Sequence, residues 1–286
     1  MLIRNFRRLF AAMLALALLL GTACAQTQPL NILLIGVDTI REETNGRSDA
    51  MILVRADPEG GEARMVSFLR DLYVAIPGVG KTRLNAAYYY GGEQLLKETL
   101  QRNFGVEIDR TVTVHFSMLA ELVDQLGGVE IDVSPRELAQ LNNILNDYND
   151  SYGLSGGQVD QAGLQRLNGK QALCYSRIRK IDSDFQRTSR QQAVIAAMLR
   201  QAQTLDRWQL FWLALQNLPK VRTDLSLGDI TQLLPLVTNA QQLELQTARV
   251  PFDGAYADET INGMMVLTPN LERNRAKLHA FLNGKE

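Results

Sequence analysis

Residues 31–38 read Asn-Ile-Leu-Leu-Ile-Gly-Val-Asp, and they indicate the fold class more clearly than any other segment of the chain. Its branched apolar residues end at Gly36 and Asp38, a pattern typical of a strand that is buried on both faces. Similar runs follow at 51–55, 63–69, 110–116 and 129–133. Between them, residues 92–104 and 117–126 have apolar side chains at i, i+3 and i+4, as amphipathic helices do. The alternation predicts an α/β fold with helices on both faces of a parallel or mixed sheet.

The second half of the chain continues the pattern less regularly. We expect a polar loop at 147–158, a helix at 164–173, a strand at 175–179 and a long helix at 184–205. Helices at 205–218, 226–237 and 269–282 and strands near 243–250 and 264–267 follow. The prediction is one large domain at 29–205 and an extension at 206–286 packed on it, because no linker divides the 286 residues.

The N-terminal residues 1–28 have the pattern of a signal peptide or membrane anchor. Arg4, Arg7 and Arg8 precede an apolar run from Leu9 to Leu20, and small residues follow around Cys24. Three outcomes stay open: an uncleaved anchor, cleavage at the Ala-Cys-Ala site, and lipidation of Cys24. Each predicts a protein on the extracytoplasmic face of the cell membrane or secreted from the cell.

Composition excludes several classes of protein. A net charge of −1 gives no basic footprint for nucleic acid, so we expect no nucleic-acid partner. Two cysteines cannot form a disulfide framework. Two isolated histidines, His115 and His279, are too few for a zinc site or a histidine-based catalytic triad.

Arginines and aspartates are the candidates for chemistry. In a strand at 175–179, Arg177 and Arg179 would share a face, and paired guanidinium groups match phosphate oxygens. On the next helix, Asp184, Arg187 and Gln191 lie on one stripe with Arg190 nearby, and the start of that helix favours anions. Surface ion pairs would explain each group alone.

Further charged residues flank the first strands. Arg47 and Asp49 precede the second strand, Asp38 ends the first, and Arg70 and Asp71 follow the third. Ligands of open α/β sheets bind beyond the carboxyl ends of strands, which is where these residues are expected. Asp38 and Asp49 are candidate ligands of Mg²⁺, which takes one or two carboxylates plus substrate phosphates.

Taken in order, the motifs resemble those of the LytR-CpsA-Psr family of cell-wall glycopolymer transferases. Each motif is weak alone, but the ordered set is specific and covers roughly residues 30 to 200. The matching segments are NILLIGVD (31–38), RSDAM (47–51), RD (70–71), RLNAAYYYGG (83–92), LGGVEIDV (126–133), LNGKQAL (167–173), YSRIRK (175–180) and DFQRTSRQQ (184–192).

The resemblance implies a three-layer α/β/α domain with a mixed sheet and a hydrophobic tunnel for a polyprenyl diphosphate lipid. It implies a phosphotransferase that moves a glycopolymer, such as teichoic acid or capsule, from this lipid to peptidoglycan with Mg²⁺. Arg70 matches the central phosphate-binding arginine, with Asp38 and Asp49 as the acidic pair. Other residues implied at the diphosphate are Arg47, Arg83, Arg177, Arg179, Arg187, Arg190 and Gln191.

Several points stay open. The catalytic base is Asp38 or Asp49, and either Arg83 or Lys81 contacts phosphate. A pyrophosphatase or a lipid-binding module would use the same residues without transfer. Family members have also been labelled transcriptional regulators, which the exported N-terminus argues against.

Overall fold

The computed structural model describes residues 28–37, 46–179, 181–238 and 244–285. The strands are β1 Leu30–Val37, β2 Ser48–Asp57, β3 Glu62–Phe68, β4 Tyr73–Ile76, β5 Gly80–Arg83, β6 Arg110–His115, β7 Val129–Val133, β8 Gly163–Leu167, β9 Arg222–Thr223, β10 Glu244–Val250, β11 Tyr256–Ile261 and β12 Met264–Pro269. The α-helices are α1 Ala86–Phe104, α2 Phe116–Gln125, α3 Pro135–Tyr152, α4 Gly169–Ser176, α5 Asp184–Ala202, α6 Arg207–Asn217, α7 Leu227–Thr238 and α8 Leu271–Leu282.

A six-stranded sheet in the order β10-β3-β2-β1-β6-β9 forms the centre of the fold. β1 pairs antiparallel with β2 and parallel with β6, and β10 pairs parallel with β3. The mixed sheet of the prediction is therefore confirmed. Since β1, β3, β6 and β10 share one direction, their carboxyl ends meet at one edge, where β2 begins.

Successive residues of β1 face the two helical layers in turn. Leu33 and Ile35 belong to a core with α1 and α8, which includes Leu100, Phe104 and Leu278. The intervening Leu34 and Gly36 face α2 and α5 on the opposite side. Helices thus cover both faces of the sheet, and the side chains of β1 point alternately to the two faces.

A second core lies beside the sheet, where the β7–β8 hairpin packs with α3, α4 and α5. Its fully buried members include Val129, Leu141, Leu145 and Ile178. This core fixes the loop before α5, because Ile178 is the apolar anchor of that loop.

Three local predictions in this region are wrong. Residues 147–152 continue α3 rather than forming a loop, because a capping box of Ser134 and Glu137 and Pro135 in the first turn set up the helix, and the buried Asn149 donates to the Gly156 carbonyl oxygen. The predicted helix at 164–173 is β8 followed by α4, since the capping box of Asn168 and Gln171 starts the helix at Gly169.

The predicted strand at 175–179 is also wrong. Tyr175 and Ser176 end α4, and Arg177 is its C-cap residue with helical φ and ψ angles. Arg177 and Arg179 therefore do not share a strand face, although Ile178 is buried as predicted.

The C-terminal part is integral to the sheet, because β9 and β10 are its two edge strands. The leader predicted at 1–28 lies outside the described residues up to residue 27. Among the helices that the structure describes, none is long and apolar enough to cross a membrane.

Candidate functional site

Charged side chains gather at the edge of the sheet where β1 and β3 end. Arg70, just after β3, lies at the centre of the group. Its Nη1 donates to Asp49 Oδ1 at 2.8 Å, and its Nε donates to Asp184 Oδ2 at 3.3 Å. Asp71 Oδ2 lies 3.6 Å from the same Nε. The start of β2, the end of β3 and the start of α5 thus converge on one guanidinium group.

Asp184, in the first turn of α5, also contacts two further arginines. Arg179 Nε lies 3.6 Å from its Oδ1, and Arg187 Nη2 donates to its Oδ2 at 3.2 Å. The side chain of Arg187 is only 6% exposed. A carboxylate at a helix start is favoured by the free backbone N–H groups, so Asp184 is well placed to hold three guanidinium groups together.

Arg83, the last residue of β5, joins the group through Asp71. Its Nε lies 3.2 Å from Asp71 Oδ1, and its Nη2 donates to the Met265 carbonyl oxygen at 2.7 Å. Lys81 lies two residues earlier and is exposed. We call the assembled group the Arg70 cluster; its members are Asp49, Arg70, Asp71, Arg83, Arg179, Asp184 and Arg187.

The Arg70 cluster has one more guanidinium group than carboxylates. Burial raises the pKa of Asp184, and Asp71 adds to the rise, although Arg70 and Arg179 oppose it. Burial lowers the pKa of Arg70, but its hydrogen bond to Asp49 and the charges of Asp184, Asp49 and Asp71 outweigh burial and raise the pKa overall. Arg70 therefore remains cationic, and the partly buried site has an excess of positive charge available to an anion.

Arg190 lies in a different group, which we call the Arg190 cluster: Glu137, Asp182 and Arg190. Its Nε donates to Glu137 Oε1 at 2.7 Å, and its Nη1 donates to Asp182 Oδ1 and to the Ile178 carbonyl oxygen. Its Nη2 also pairs with Asp182. Burial would raise the pKa of Glu137, but hydrogen bonds from Arg190 and Ser134 lower it overall. The contacts of Arg190 fasten α5 to α3 and to the preceding loop.

The other predicted site residues are dispersed. Arg47 is exposed just before β2. Arg177 lies near Cys174, where burial raises the pKa of the thiol to about 11 and the arginine charge opposes that rise. Asp38 lies outside the described residues. The Arg70 cluster thus unites Asp49, Arg70, Arg83, Arg179 and Arg187 of the predicted set.

The sequence analysis placed Asp71 and Asp184 near the site but gave them no role at the diphosphate or the metal, although they bridge the arginines. Their positions in the sequence could have identified them, since Asp71 adjoins Arg70 and Asp184 lies three residues before Arg187. Choosing residues by affinity for phosphate selects cations and overlooks the carboxylates that orient them.

An apolar cavity of about 370 Å³ opens between the sheet and helices α2, α5 and α6. Leu34 and Ile52 form its floor, and Gln191 and Ser176 lie among its lining residues. Gln191 follows Arg187 by one helical turn, so the cavity begins beside the Arg70 cluster. From Gln191 to Ala202 it follows α5 for roughly 16 Å at 1.5 Å per residue.

A second cavity, of about 330 Å³, borders the Arg70 cluster and shares no lining residue with the apolar cavity. Asp71 and Asp184 form one wall, and Asp258, Glu259 and Met265 of the β11–β12 hairpin form the other. The hairpin is held there by Arg83 and by the backbone hydrogen bond from Leu267 N to the Asp71 carbonyl oxygen at 3.0 Å.

The described residues contain no cluster of three or more His, Cys, Asp or Glu side chains suited to a metal ion. Asp49 supplies one carboxylate, whose side chain is 26% exposed and has one oxygen on Arg70. Since Mg²⁺ is commonly held by one or two carboxylates and substrate phosphates, this donor set fits a magnesium ion shared with an anionic substrate.

Known proteins are similar to this chain in sequence and in fold. Residues 17–280 match the profile of the LytR_cpsA_psr family. A polyisoprenyl-teichoic acid–peptidoglycan teichoic acid transferase, TagU of Enterococcus faecalis, is 33% identical over 72% of this chain. The match covers 65% of TagU, so the chain spans less than two thirds of that relative's length.

Two solved structures of TagT are also similar. TagT bound to LIIa-WTA superposes with a TM-score of 0.72 and 26% identity, covering 92% of this chain and 96% of TagT. TagT with bound octaprenyl pyrophosphate lipid superposes with a TM-score of 0.68 and 25% identity over 92% and 94% of the two chains. With a family match over nearly its whole length, this chain belongs to the LytR-CpsA-Psr family.

Proposed function

We propose that the chain is an extracytoplasmic phosphotransferase that moves a polyprenyl-diphosphate-linked glycopolymer, of the teichoic acid or capsule kind, onto peptidoglycan. One observation carries the proposal: the Arg70 cluster lies directly beside the apolar cavity, with Arg187 and Gln191 one turn apart on α5. A charged site beside an apolar cavity matches a lipid with a diphosphate head.

The two parts of the site divide the substrate between them. The cavity is lined almost entirely by aliphatic side chains, which favour a prenyl chain through the hydrophobic effect. The guanidinium groups of Arg70, Arg179 and Arg187 match diphosphate oxygens in charge and geometry. The relatives named above act on or bind lipids of this chemistry, which supports the assignment.

The proposed reaction needs positioning and charge neutralisation more than covalent help from the protein. The acceptor hydroxyl oxygen bonds to the phosphorus that carries the glycan, and the bond from this phosphorus to the bridging oxygen breaks. Prenyl monophosphate leaves, and the hydroxyl proton passes to Asp38 or Asp49. Arg70 and its neighbours stabilise the negative charge that develops on the leaving phosphate.

Magnesium is part of the proposal, with Asp49 and Asp38 as its protein ligands. When bound, it would neutralise charge on the diphosphate oxygens. Asp49 also positions Arg70, because its Oδ1 accepts a 2.8 Å hydrogen bond from Arg70 Nη1.

The acceptor must approach the Arg70 cluster from a side that the lipid leaves open. The second cavity meets this need, because Asp71 and Asp184 of the Arg70 cluster border it and it shares no lining residue with the apolar cavity. Its carboxylates Asp258 and Glu259 would disfavour an anionic donor glycopolymer there.

One assay separates transfer from its alternatives. Full-length protein in detergent is incubated with a prenyl-diphosphate glycan donor, Mg²⁺ and peptidoglycan oligomers. Covalent glycan on peptidoglycan is the expected product. Release of free glycan phosphate would instead establish a hydrolase, and unchanged donor on purified protein would establish a binding module.

A further inference from the structure

The outer side of α6 is aromatic and faces solvent. Trp208 and Trp212 are 64% and 54% exposed and lie one turn apart. The ring of Phe211 lies between them, with centroids 6.2 and 5.6 Å away in edge-to-face contacts. We call these three residues the α6 aromatic face. Phe211 is half-buried, so the exposed part of the face is the two indole rings that it separates. Exposed apolar surface of this kind commonly marks an interaction site.

The helix beneath this face is firmly placed. Asp206 caps its start by accepting from the backbone N–H groups of Trp208 and Gln209. At its other end, Asn217 Nδ2 donates to Gln125 Oε1 of α2 at 2.5 Å. Leu213, on the inner side, lines the apolar cavity. The exposure of the tryptophans is therefore a property of an ordered helix that also forms a wall of the cavity.

The position of α6 in the fold indicates what kind of partner the aromatic face contacts. The Arg70 cluster lies at the start of α5, whereas α6 follows the end of α5, so the aromatic face belongs to the far end of the cavity. The chain also enters the domain at the far end. The Gln28 carbonyl oxygen accepts from Gln232 of α7, and β1 then runs from Leu30 toward the Arg70 cluster.

The sequence before Gln28 points to a lipid surface on this side. Its apolar run ends at Leu20, eight positions before Gln28, which limits their separation to roughly 30 Å. If that run lies in a bilayer, the end of the domain that contains α7 and the end of α5 is held near the membrane. Tryptophan is enriched at membrane interfaces, because its ring is apolar and its indole N–H is polar.

We propose that the α6 aromatic face rests in the interface of a lipid bilayer and holds the far end of the apolar cavity against the membrane. The proposal rests on the prenyl-lipid function proposed above and on the anchored outcome of the prediction for residues 1–28. It gives the tryptophans a role in which the prenyl chain stays close to the acyl chains while its diphosphate reaches the Arg70 cluster.

The chain offers a direct test, because it has two tryptophans and both lie on α6. Full-length protein is reconstituted into phosphatidylglycerol-containing vesicles with and without brominated acyl chains, and tryptophan emission is recorded. We expect a shift to shorter wavelength and loss of about half of the emission with brominated lipid, since interfacial tryptophans lie next to the acyl chains.

Equal emission from both kinds of vesicle would overturn the proposal, whether or not the protein floats with them. Burial of the tryptophans by a second copy, or by the N-terminal segment, would give that result. Emission that changes with protein concentration would identify the second copy as the occupant.

A pair of variants links the aromatic face to turnover. Trp208→Ser with Trp212→Ser should slow transfer from donor embedded in vesicles roughly tenfold, the equivalent of about 1.4 kcal/mol, and leave transfer in detergent unchanged. The control Leu154→Ser with Leu164→Ser removes other exposed apolar side chains and should change neither rate. Equal rates in vesicles for the tryptophan variant and wild type would contradict the proposal. Wild-type protein inactive in both media but quenched by brominated lipid would refute the transferase function and leave the membrane contact standing.

Discussion

The Arg70 cluster and the Arg190 cluster each include an arginine of α5, and they differ in how completely that arginine is hydrogen-bonded. Arg187 of the Arg70 cluster and Arg190 of the Arg190 cluster are three residues apart, and each is 5% exposed. Three nitrogens of Arg190 meet Glu137, Asp182 or the Ile178 carbonyl oxygen. Arg187 pairs with Asp184 through Nη2, but its buried Nε has no hydrogen-bond partner among the described residues.

The pKa values of Glu137 and Asp184, the acidic partners of Arg190 and Arg187, also differ between the two clusters. The pKa of Glu137 in the Arg190 cluster is lowered, because hydrogen bonds from Arg190 and Ser134 outweigh burial. The pKa of Asp184 in the Arg70 cluster is raised, because burial and Asp71 outweigh the arginines. A satisfied network stabilises a fold, whereas perturbed ionisation beside a cavity is typical of a functional site. Burial alone would not have separated the two clusters, because Arg187 and Arg190 are equally buried.

The strongest test of this contrast is Arg70→Ala, which removes the centre of the Arg70 cluster. We expect the transfer rate to fall by about 10³-fold or more, as with removal of arginines that stabilise phosphoryl transfer. Arg83, Arg179 and Arg187 still neutralise Asp71 and Asp184, so the melting temperature should fall by only a few degrees. Transfer kinetics and thermal unfolding of the purified variant measure both effects.

Arg166→Ala is the matched control, because Arg166 pairs with Glu130 on an exposed surface. It should leave both the transfer rate and the melting temperature close to wild type. Full activity of Arg70→Ala would remove the Arg70 cluster from the mechanism.

The next largest effect should be on stability, from Arg190→Met. This change leaves Glu137 and Asp182 without their cation, and breaking a buried ion pair typically costs about 3–5 kcal/mol. Arg187→Met should cost less, because Asp184 keeps Arg70 and Arg179. Urea denaturation gives both free energies of unfolding.

Activity per folded molecule should show the reverse order, lost in Arg187→Met and kept in Arg190→Met. A stable but inactive Arg190→Met protein would instead support the sequence prediction that Arg190 contacts the diphosphate.

The fold was largely predictable because the central strands are buried on both faces. The apolar run at 31–37 and the segment at 129–133 agree with β1 and β7 to within a residue. The wrong assignments fall at 147–179, where helix caps decide the structure, and the short strands β4, β5, β9 and β11 were not predicted. Asn168 and Gln171 start α4 through reciprocal hydrogen bonds that an apolar pattern does not report.

The candidate site was predictable at the level of motifs but not of contacts. Asp49 and Arg70 were expected to meet at the ends of neighbouring strands, and they form an ion pair there. The separation of Arg190 from Arg187 depends on Glu137, which α3 delivers from 53 residues away along the chain. Helical spacing alone places both arginines at the start of α5 and cannot say which one meets a distant carboxylate.

A smaller effect should come from ligand binding, which sharpens the contrast without turnover. Inorganic pyrophosphate with Mg²⁺ should raise the free energy of unfolding of the wild type by about 2.7 kcal/mol at 100 times its Kd. Arg190→Met should keep this gain and Arg187→Met should lose most of it. Chelation of Mg²⁺ by EDTA should reduce the gain in the wild type, and a gain unaffected by EDTA would count against a shared metal. Differential scanning fluorimetry follows each titration.

The smallest expected effect is on the pH dependence of stability, and here the two clusters should have opposite signs. The folded protein binds the Asp184 proton more tightly than the unfolded chain, because the folded pKa is raised. The contribution of Asp184 to the free energy of unfolding therefore falls as pH rises from the ordinary aspartate pKa through the raised one. For Glu137 the folded pKa is lowered, so its contribution is present above the ordinary glutamate pKa and is lost as pH falls through the lowered one. Urea denaturation of wild type, Asp184→Asn and Glu137→Gln from about pH 3 to about pH 7 measures both. The difference between wild type and variant should shrink with rising pH for Asp184→Asn and grow for Glu137→Gln; slopes of the same sign would mean that the two clusters are equally satisfied before any substrate binds.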